Sequence, residues 1–344
     1  RLRSAFFNFY TLNMFNAKER GSRRSRKIVL AGGTGQIGTI LARHFHSQGD
    51  YVTVLARHGA ALPWKVVLWD ARTLGDWTEV LEGSEVLINL AGRSVNCRYN
   101  TKNRREIIDS RLESTRILGL AVARCERPPV LWTNASTATI YRHALDRPMD
   151  EATGELGGKE PDAPDTWKFS IDVARRWEAA FFEGATPLTR KIALRSAMIM
   201  SPDRGGVFDT LVRLVRLGLG GKAGSGDQFV SWIHDHDFMR AVEFLIQSNT
   251  DGVVNLSAPC PLPNAEFMRV LREAYGIRIG LAATNWMLEI GALFMRTETE
   301  LILKSRRVVP GRLLDAGFEF QFPNWCESAQ DLTRRWRFGE NSTQ

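Results

Sequence analysis

Residues 27–45 read KIVLAGGTGQIGTILARHF, and this stretch decides the fold. An apolar run from Lys27 to Ala31 passes into a glycine turn and then into an amphipathic helical segment. The turn holds Gly32, Gly35 and Gly38 in GxxGxxG spacing, and Gly33, Gly35 and Gly38 in GxGxxG spacing. Glycines there permit positive φ and let the backbone approach a pyrophosphate at the N-terminus of the following helix. Alone the string is weak, but between a strand and a helix it reads as a dinucleotide-binding turn. A glycine turn with no ligand is the competing reading.

Outward from this turn, short β-branched runs alternate with helical stretches. YVTVLAR, KVVLWD, EVLINLAG, PVLWTNAS and KIALRSAMI supply further strands, and long helices run through RREIIDSRLESTRILGLAVARC and DVARRWEAAFF. This predicts an α/β protein, a Rossmann-type doubly wound parallel sheet with a smaller C-terminal α/β substrate lobe. We expect a flexible basic leader over 1–26, a nucleotide-binding domain over 27–200 plus 236–255, and the substrate-side lobe over 201–235 plus 256–344.

The end of the second strand selects the cofactor. An acid there would bind both ribose hydroxyls, whereas Arg57 followed by His58 suits a 2′-phosphate, so NADP(H) is expected. A solvated surface arginine is the alternative for Arg57. Asp50 precedes the strand, at its wrong end.

The formal charge of +8 invites a nucleic-acid reading. Eight of the cations lie within the first 27 residues against only Glu19, so outside that arm the case is thin and no nucleic-acid partner is expected. The arm is Arg-rich and acid-poor, as a targeting segment would be, and Met14 offers an alternative start. The expected location is cytoplasmic, or organellar if the arm is an address. Cys97, Cys125, Cys260 and Cys326 show no CxxC or metal spacing, which suits reduced thiols. No membrane partner is expected, because the apolar segment from Trp286 to Met295 is short and carries Glu289.

AGGTGQIG, NLAG (Asn89 to Gly92) and STATIY (Ser136 to Tyr141) together resemble an extended short-chain dehydrogenase/reductase. SRLESTRIL (Ser110 to Leu118), RLGLGGKAGSGDQFVSWIHDHD (Arg216 to Asp237) and VPGRLLDAGFEF (Val309 to Phe320) narrow the resemblance to YfcH-like epimerase-family proteins, which end in a small domain of unknown function. The likeness runs from Lys27 to about Leu332. It implies NADP(H) held by the turn Gly32, Gly33, Thr34, Gly35, Gln36, Ile37 and Gly38, with Arg57 at the phosphates, Asp70 near the adenine, and Leu90, Ala91 and Gly92 along the cofactor. It also implies a cleft between the lobes for a small, anionic or nucleotide-sugar-like molecule.

One part of the family pattern is missing. The usual proton relay is a YxxxK pair, in which the lysine lowers the tyrosine pKa. If Glu178 aligns with the glutamate that commonly follows the lysine, the two positions hold Ser170 and Ala174. Thr137, Ser136 and Tyr141 are the candidate substitutes, with Thr137 preferred; a strand-end hydroxyl and a packed tyrosine are the plain readings.

Arg111 falls where many members carry an active-site asparagine and would favour a carboxylate or phosphate, with Arg195 assisting. A structural ion pair competes for each. His234 is expected at the cleft wall and Gln228 in a glycine-rich loop that acts either as a lid or as a tight turn. Asp237 reads as a helix N-cap. His234 and His236 lack a third ligand, so no metal is expected. The sequence therefore supports an atypical NADP(H)-dependent oxidoreductase or epimerase, or, given the missing pair, a non-catalytic NADP(H) sensor or docking protein.

Overall fold

The computed structural model describes residues 24–284 and 299–339; most of the basic leader and the segment from Trp286 to Met295 lie outside the described residues. The chain runs β1 (Lys27–Ala31), α1 (Gln36–Ser47), β2 (Tyr51–Ala56), β3 (Lys65–Leu68), β4 (Val86–Asn89), α2 (Thr101–Ala123), β5 (Leu131–Thr137), α3 (Asp165–Glu183) and β6 (Arg190–Ser196). It continues through β7 (Met198–Met200), α4 (Val207–Arg216), β8 (Phe229–Val230), β9 (Trp232–His234), α5 (Asp235–Gln247), β10 (Gly252–Leu256), β11 (Leu262–Pro263) and α6 (Asn264–Tyr275). After residue 298 come α7 (Glu300–Leu303), α8 (Gly311–Asp315) and α9 (Trp325–Phe338).

Seven strands form one parallel sheet in the order β10-β6-β5-β4-β1-β2-β3. The order reverses between β1 and β4, and a doubly wound sheet opens its ligand crevice at that switch point, outside the strand C-termini. Both faces are covered, so the strands read as continuous apolar runs. The period of two divides β1 between two cores. Ile28 and Leu30 pack with Ile40 and Phe45 of α1 and Phe238 of α5. Val29 and Ala31 pack with Leu118 of α2, Trp132 of β5 and Phe181 of α3.

A third core joins Phe208 and Val212 of α4, Trp232, Phe267, Trp325 and Trp336. It is framed by the β7–β9 and β8–β11 pairs. Trp325 stacks on Phe267 at 4.1 Å, and Arg335 clasps Asp235 at 2.7 and 2.9 Å, tying α9 to the start of α5.

Two expectations need correction. The sixth strand is not continuous: it breaks at Ala197, and Met198–Met200 leaves the sheet to pair with Trp232–His234. Arg26, assigned to the flexible leader, is buried. It binds Asp50 through Nε at 3.2 Å and Glu243 through Nη1 at 2.9 Å. A buried carboxylate at the start of β2 requires a cation, and the residue before β1 is adjacent to supply it.

Candidate functional site

The glycine turn is built by close approach. Gly32 has φ +74°, and a Cβ on it would lie 2.7 Å from Ala91 Cα. A Cβ on Gly38 would lie 2.4 Å from Gly33 Cα, so only hydrogen fits where α1 leaves the turn. Gly35 differs: it is exposed, and the nearest atom to a Cβ there is Gly32 O at 4.0 Å. The space above Gly35 is therefore open to a ligand. Gly35 is the N-cap of α1, with no side-chain cap and no acid in the first turn. Its amides and the helix dipole thus face that space without competition from a protein carboxylate. These features fit a dinucleotide pyrophosphate.

Arg57 and His58 are exposed beyond the end of β2. Asp70 is also exposed, and its carboxylate accepts hydrogen bonds from Thr73 Oγ1 at 2.6 Å and from the amides of Thr73 and Arg72. Those bonds hold its pKa at about 2 and make it the organiser of the turn after β3. The other rim is fixed by Asn89, fully buried, whose Nδ2 donates to Asn134 Oδ1 at 2.7 Å while its Oδ1 accepts from Ala91 N at 3.0 Å. That bond sets the backbone of Leu90, Ala91 and Gly92 beside the glycine turn.

From the turn a cleft of about 430 Å³ extends between α2, α3, the end of β5 and Glu300. Arg111, Ser136, Thr137, Ser170, Ala174 and Trp177 line it together with Gln36 and Leu90. The sequence-derived positions Ser170 and Ala174 thus both face the cleft, and neither side chain is a phenol or an amine. The Arg111 guanidinium lies 5.0 Å over the Trp177 ring and donates from Nη1 to the carbonyls of Arg93 and Ile107 at 3.0 and 3.1 Å. No carboxylate pairs with it among the described residues, and burial lowers its pKa to about 10. A desolvated cation without a counter-ion is costly unless a ligand supplies the anion.

Thr137 lines the cleft while its Oγ1 accepts from Thr139 N at 3.2 Å. Ser136 also reaches it, but its Oγ donates to Glu178 at 2.6 Å. The remaining candidates are placed elsewhere. Arg195 is consumed by Glu178, bound through Nε at 2.8 Å and Nη2 at 2.7 Å. Tyr141 is buried, donates to Asn255 Oδ1 and accepts from Arg195, each at 3.0 Å. Burial raises its phenol pKa, so it is a poor proton donor as well as a distant one.

His234 is fully buried, stacked on Phe322 at 3.8 Å and 3.2 Å from Asp331. It, not Asp237, caps α5: His234 Nδ1 accepts from His236 N at 3.1 Å. Asp237 instead receives the amides of Gln321 and Phe322. Gln228 is buried and donates to Ala223 O at 2.9 Å. Its loop is pinned, not a free lid: Gly221 N and Gly224 N donate to Leu281 O and Ala283 O.

Sequence reasoning missed three cleft residues. Trp177 belongs to no motif in the helical stretch DVARRWEAAFF, yet its indole donates to Thr115 at 2.9 Å and its face carries Arg111. Tyr99 and Glu300 give no signal, Glu300 being one acid in a Thr-Glu-Thr-Glu run. Only the fold brings it to Ser170, whose Oγ donates to Glu300 Oε2.

A family model described as the NAD dependent epimerase/dehydratase family matches residues 28–257, and a domain of unknown function, DUF1731, matches residues 283–332. The human epimerase family protein SDR39U1 is 30% identical over 312 residues, covering 89% of this chain and 99% of its own. Epimerase family protein SA0724 of Staphylococcus aureus (strain N315) is 28% identical over 313 residues, covering 90% and 99%. Among solved structures, human SDR39U1 crystallised with NADPH superposes with a TM-score of 0.78 at 28% identity, covering 89% and 99%. A nucleoside-diphosphate sugar epimerase from Corynebacterium glutamicum shares the fold with a TM-score of 0.67 at 24% identity, covering 92% and 59%.

Proposed function

The chain belongs to the NAD dependent epimerase/dehydratase family, and we propose that within it this protein is an NADP(H)-dependent oxidoreductase or epimerase acting on a small anionic molecule held at Arg111. The observation that carries the proposal is the Arg111 guanidinium, desolvated on the cleft wall beside the glycine turn without a carboxylate partner among the described residues. The exposed Arg57 and the NADPH in the related human structure support the choice of cofactor. Gly32 to Gly38 would hold the pyrophosphate, Arg57 the 2′-phosphate, the turn organised by Asp70 the adenine side, and Leu90 to Gly92 the far rim. When bound, the dihydronicotinamide supplies a hydride. Thr137, at the end of β5, supplies a hydroxyl to orient the ligand, and Trp177 keeps water from the Arg111 side.

The test is NADPH oxidation against small carboxylated and phosphorylated carbonyl compounds and against nucleotide sugars, followed by Arg111→Ala on any compound turned over. Loss of one charge-assisted anchor should raise KM about 10- to 100-fold and leave NADPH affinity nearly intact. Unchanged kinetics in that variant would refute the substrate site. Ser170 and Ala174 at the usual tyrosine and lysine positions favour a second reading, a non-catalytic NADP(H) sensor. That reading wins if nothing is turned over while a protein partner binds in an NADPH-dependent way.

A further inference from the structure

Ser170 and Glu300 meet in the cleft although they are 130 positions apart. Ser170 projects from α3 at the place where the sequence pattern expects the family tyrosine, and its Oγ also lies 3.4 Å from Tyr99 Oη. Glu300 is 1% exposed and opens α7, inside the C-terminal domain matched as DUF1731. Its segment is fastened across the end of β5: Lys304 Nζ donates to Thr139 O at 2.6 Å and Arg306 Nε to Thr139 Oγ1 at 3.0 Å. Arg306 Nη2 stands 3.5 Å from the Glu300 carboxylate.

We propose that Ser170 and Glu300 form the proton relay of this cleft, Ser170 Oγ exchanging the proton with the substrate and Glu300 exchanging it with Ser170. The proposal rests on the reading of the cleft as an NADP(H)-dependent active site. A serine hydroxyl alone is too weak an acid to protonate a carbonyl oxygen efficiently, and a hydrogen-bonded carboxyl corrects that. In reduction, a substrate carbonyl carbon receives a hydride, with its two electrons, from NADPH. The carbonyl π pair moves onto oxygen, which takes the Ser170 proton. Ser170 is refilled from the protonated Glu300 carboxyl, leaving a carboxylate beside Arg306 that regains its proton from water. Oxidation moves the same protons backwards.

The surroundings suit a group that must both give and take. Burial favours the neutral carboxyl, and Arg306 favours the ionised one. Among the described residues, the other titratable groups facing this cluster include Tyr99 from the segment before α2, Lys304 on the same segment as Glu300, and Glu160 before α3, which acts on Lys304. Burial, followed by repulsion from Arg306, brings the Lys304 pKa to about 7, which weakens a second cation that would otherwise hold Glu300 ionised throughout. The relay would give the C-terminal domain a direct part in the chemistry, because Glu300 replaces from outside the Rossmann domain what Ala174 cannot provide from within it.

The experiment is a carboxyl-carbon NMR titration of the full chain with NADPH bound, using labelled glutamate and Glu300→Gln to assign the resonance. Glu300 should titrate between about pH 5 and 9, the range in which a relay can work in both directions. Ser170→Ala should move its midpoint. A resonance flat across that range, or a midpoint indifferent to Ser170→Ala, overturns the relay. NADPH oxidation with pyruvate, phenylpyruvate and phenanthrenequinone as probes provides the second arm. Glu300→Gln should lower kcat by about 100-fold with NADPH affinity unchanged and flatten the pH profile, and Glu300→Asp should recover part of the rate. Turnover that survives Glu300→Gln overturns the relay and spares the enzyme reading. A titrating Glu300 in a protein that turns over neither these probes nor the wider panel of anionic carbonyl compounds and nucleotide sugars, while a protein partner binds in an NADPH-dependent way, overturns the enzyme reading instead.

Discussion

Arg195 and Glu178 form a two-pronged pair at 2.7 and 2.8 Å, closed by the Ser136 hydroxyl on the same carboxylate. Both side chains are about nine-tenths buried. The pair joins the C-terminal half of α3 to β6 and, with the Tyr141 hydroxyl, takes up three of the five guanidinium N–H groups of Arg195, which does not line the cleft. Arg195→Ala should therefore lower the unfolding free energy by about 3 kcal/mol, the cost of stranding a buried carboxylate. Urea denaturation measures this. A variant of native stability with weakened ligand binding would return Arg195 to the substrate site.

Arg111 should behave in the opposite way. Its guanidinium has no carboxylate counter-ion among the described residues and lies over the Trp177 ring, and Arg111→Met removes the charge while leaving an unbranched apolar side chain in its place. The variant should unfold at an equal or higher urea concentration than the wild type, because a partly buried charge with no counter-ion is removed. A fall of about 2 kcal/mol or more would show that its bonds to the Arg93 and Ile107 carbonyls are its purpose, as expected of a purely structural hydrogen bond to a charged group.

One tight glycine and one open glycine separate folding from binding. Gly38→Ala drives a methyl group into the Gly33 backbone at 2.4 Å and should cost about 3 kcal/mol through overpacking. Gly35→Ala meets nothing closer than 4.0 Å and should leave the melting temperature of the free protein unchanged while abolishing NADPH binding. Equal melting temperatures for the two variants, or retained cofactor binding in Gly35→Ala, would contradict the geometry assigned to the turn.

How much of this was legible in the sequence follows from how local each signal is. The glycine turn, the strand alternation and the cleft-facing places of Ser170 and Ala174 depend on residues a few positions apart, and a sequence displays these directly. Arg195 and Tyr141 misled because each lies at a strand end near the cleft, and only the fold reveals that Glu178 and Asn255 absorb them. His234 misled because β9 turns its ring inward onto Phe322, a residue 88 positions further on in the numbering. Glu300 was invisible for the same reason in reverse: its meaning lies entirely in a contact made across the cleft.

Acid stability carries a signature of the second lobe. Burial opposes ionisation of Asp209, but the Gly205 amide, the Trp336 indole and Arg213 outweigh it and hold the carboxyl at about 2. A folded pKa below the unfolded one stabilises the protein above the unfolded value near 4, and that contribution is lost as pH falls towards 2. Melting temperatures between pH 5 and 2 should therefore fall less steeply in Asp209→Asn than in the wild type, from a lower starting point at pH 5. Parallel slopes would show that Asp209 carries no linkage.

The claim that this is an NADP(H) protein is tested most directly by calorimetric titration of NADPH and NADH into the wild type and Arg57→Ala. NADPH should bind at least about tenfold tighter than NADH, the worth of one charge-assisted contact to the 2′-phosphate. Arg57→Ala should erase that preference and leave NADH affinity unchanged. Equal affinity of the wild type for the two cofactors would contradict the account at its foundation.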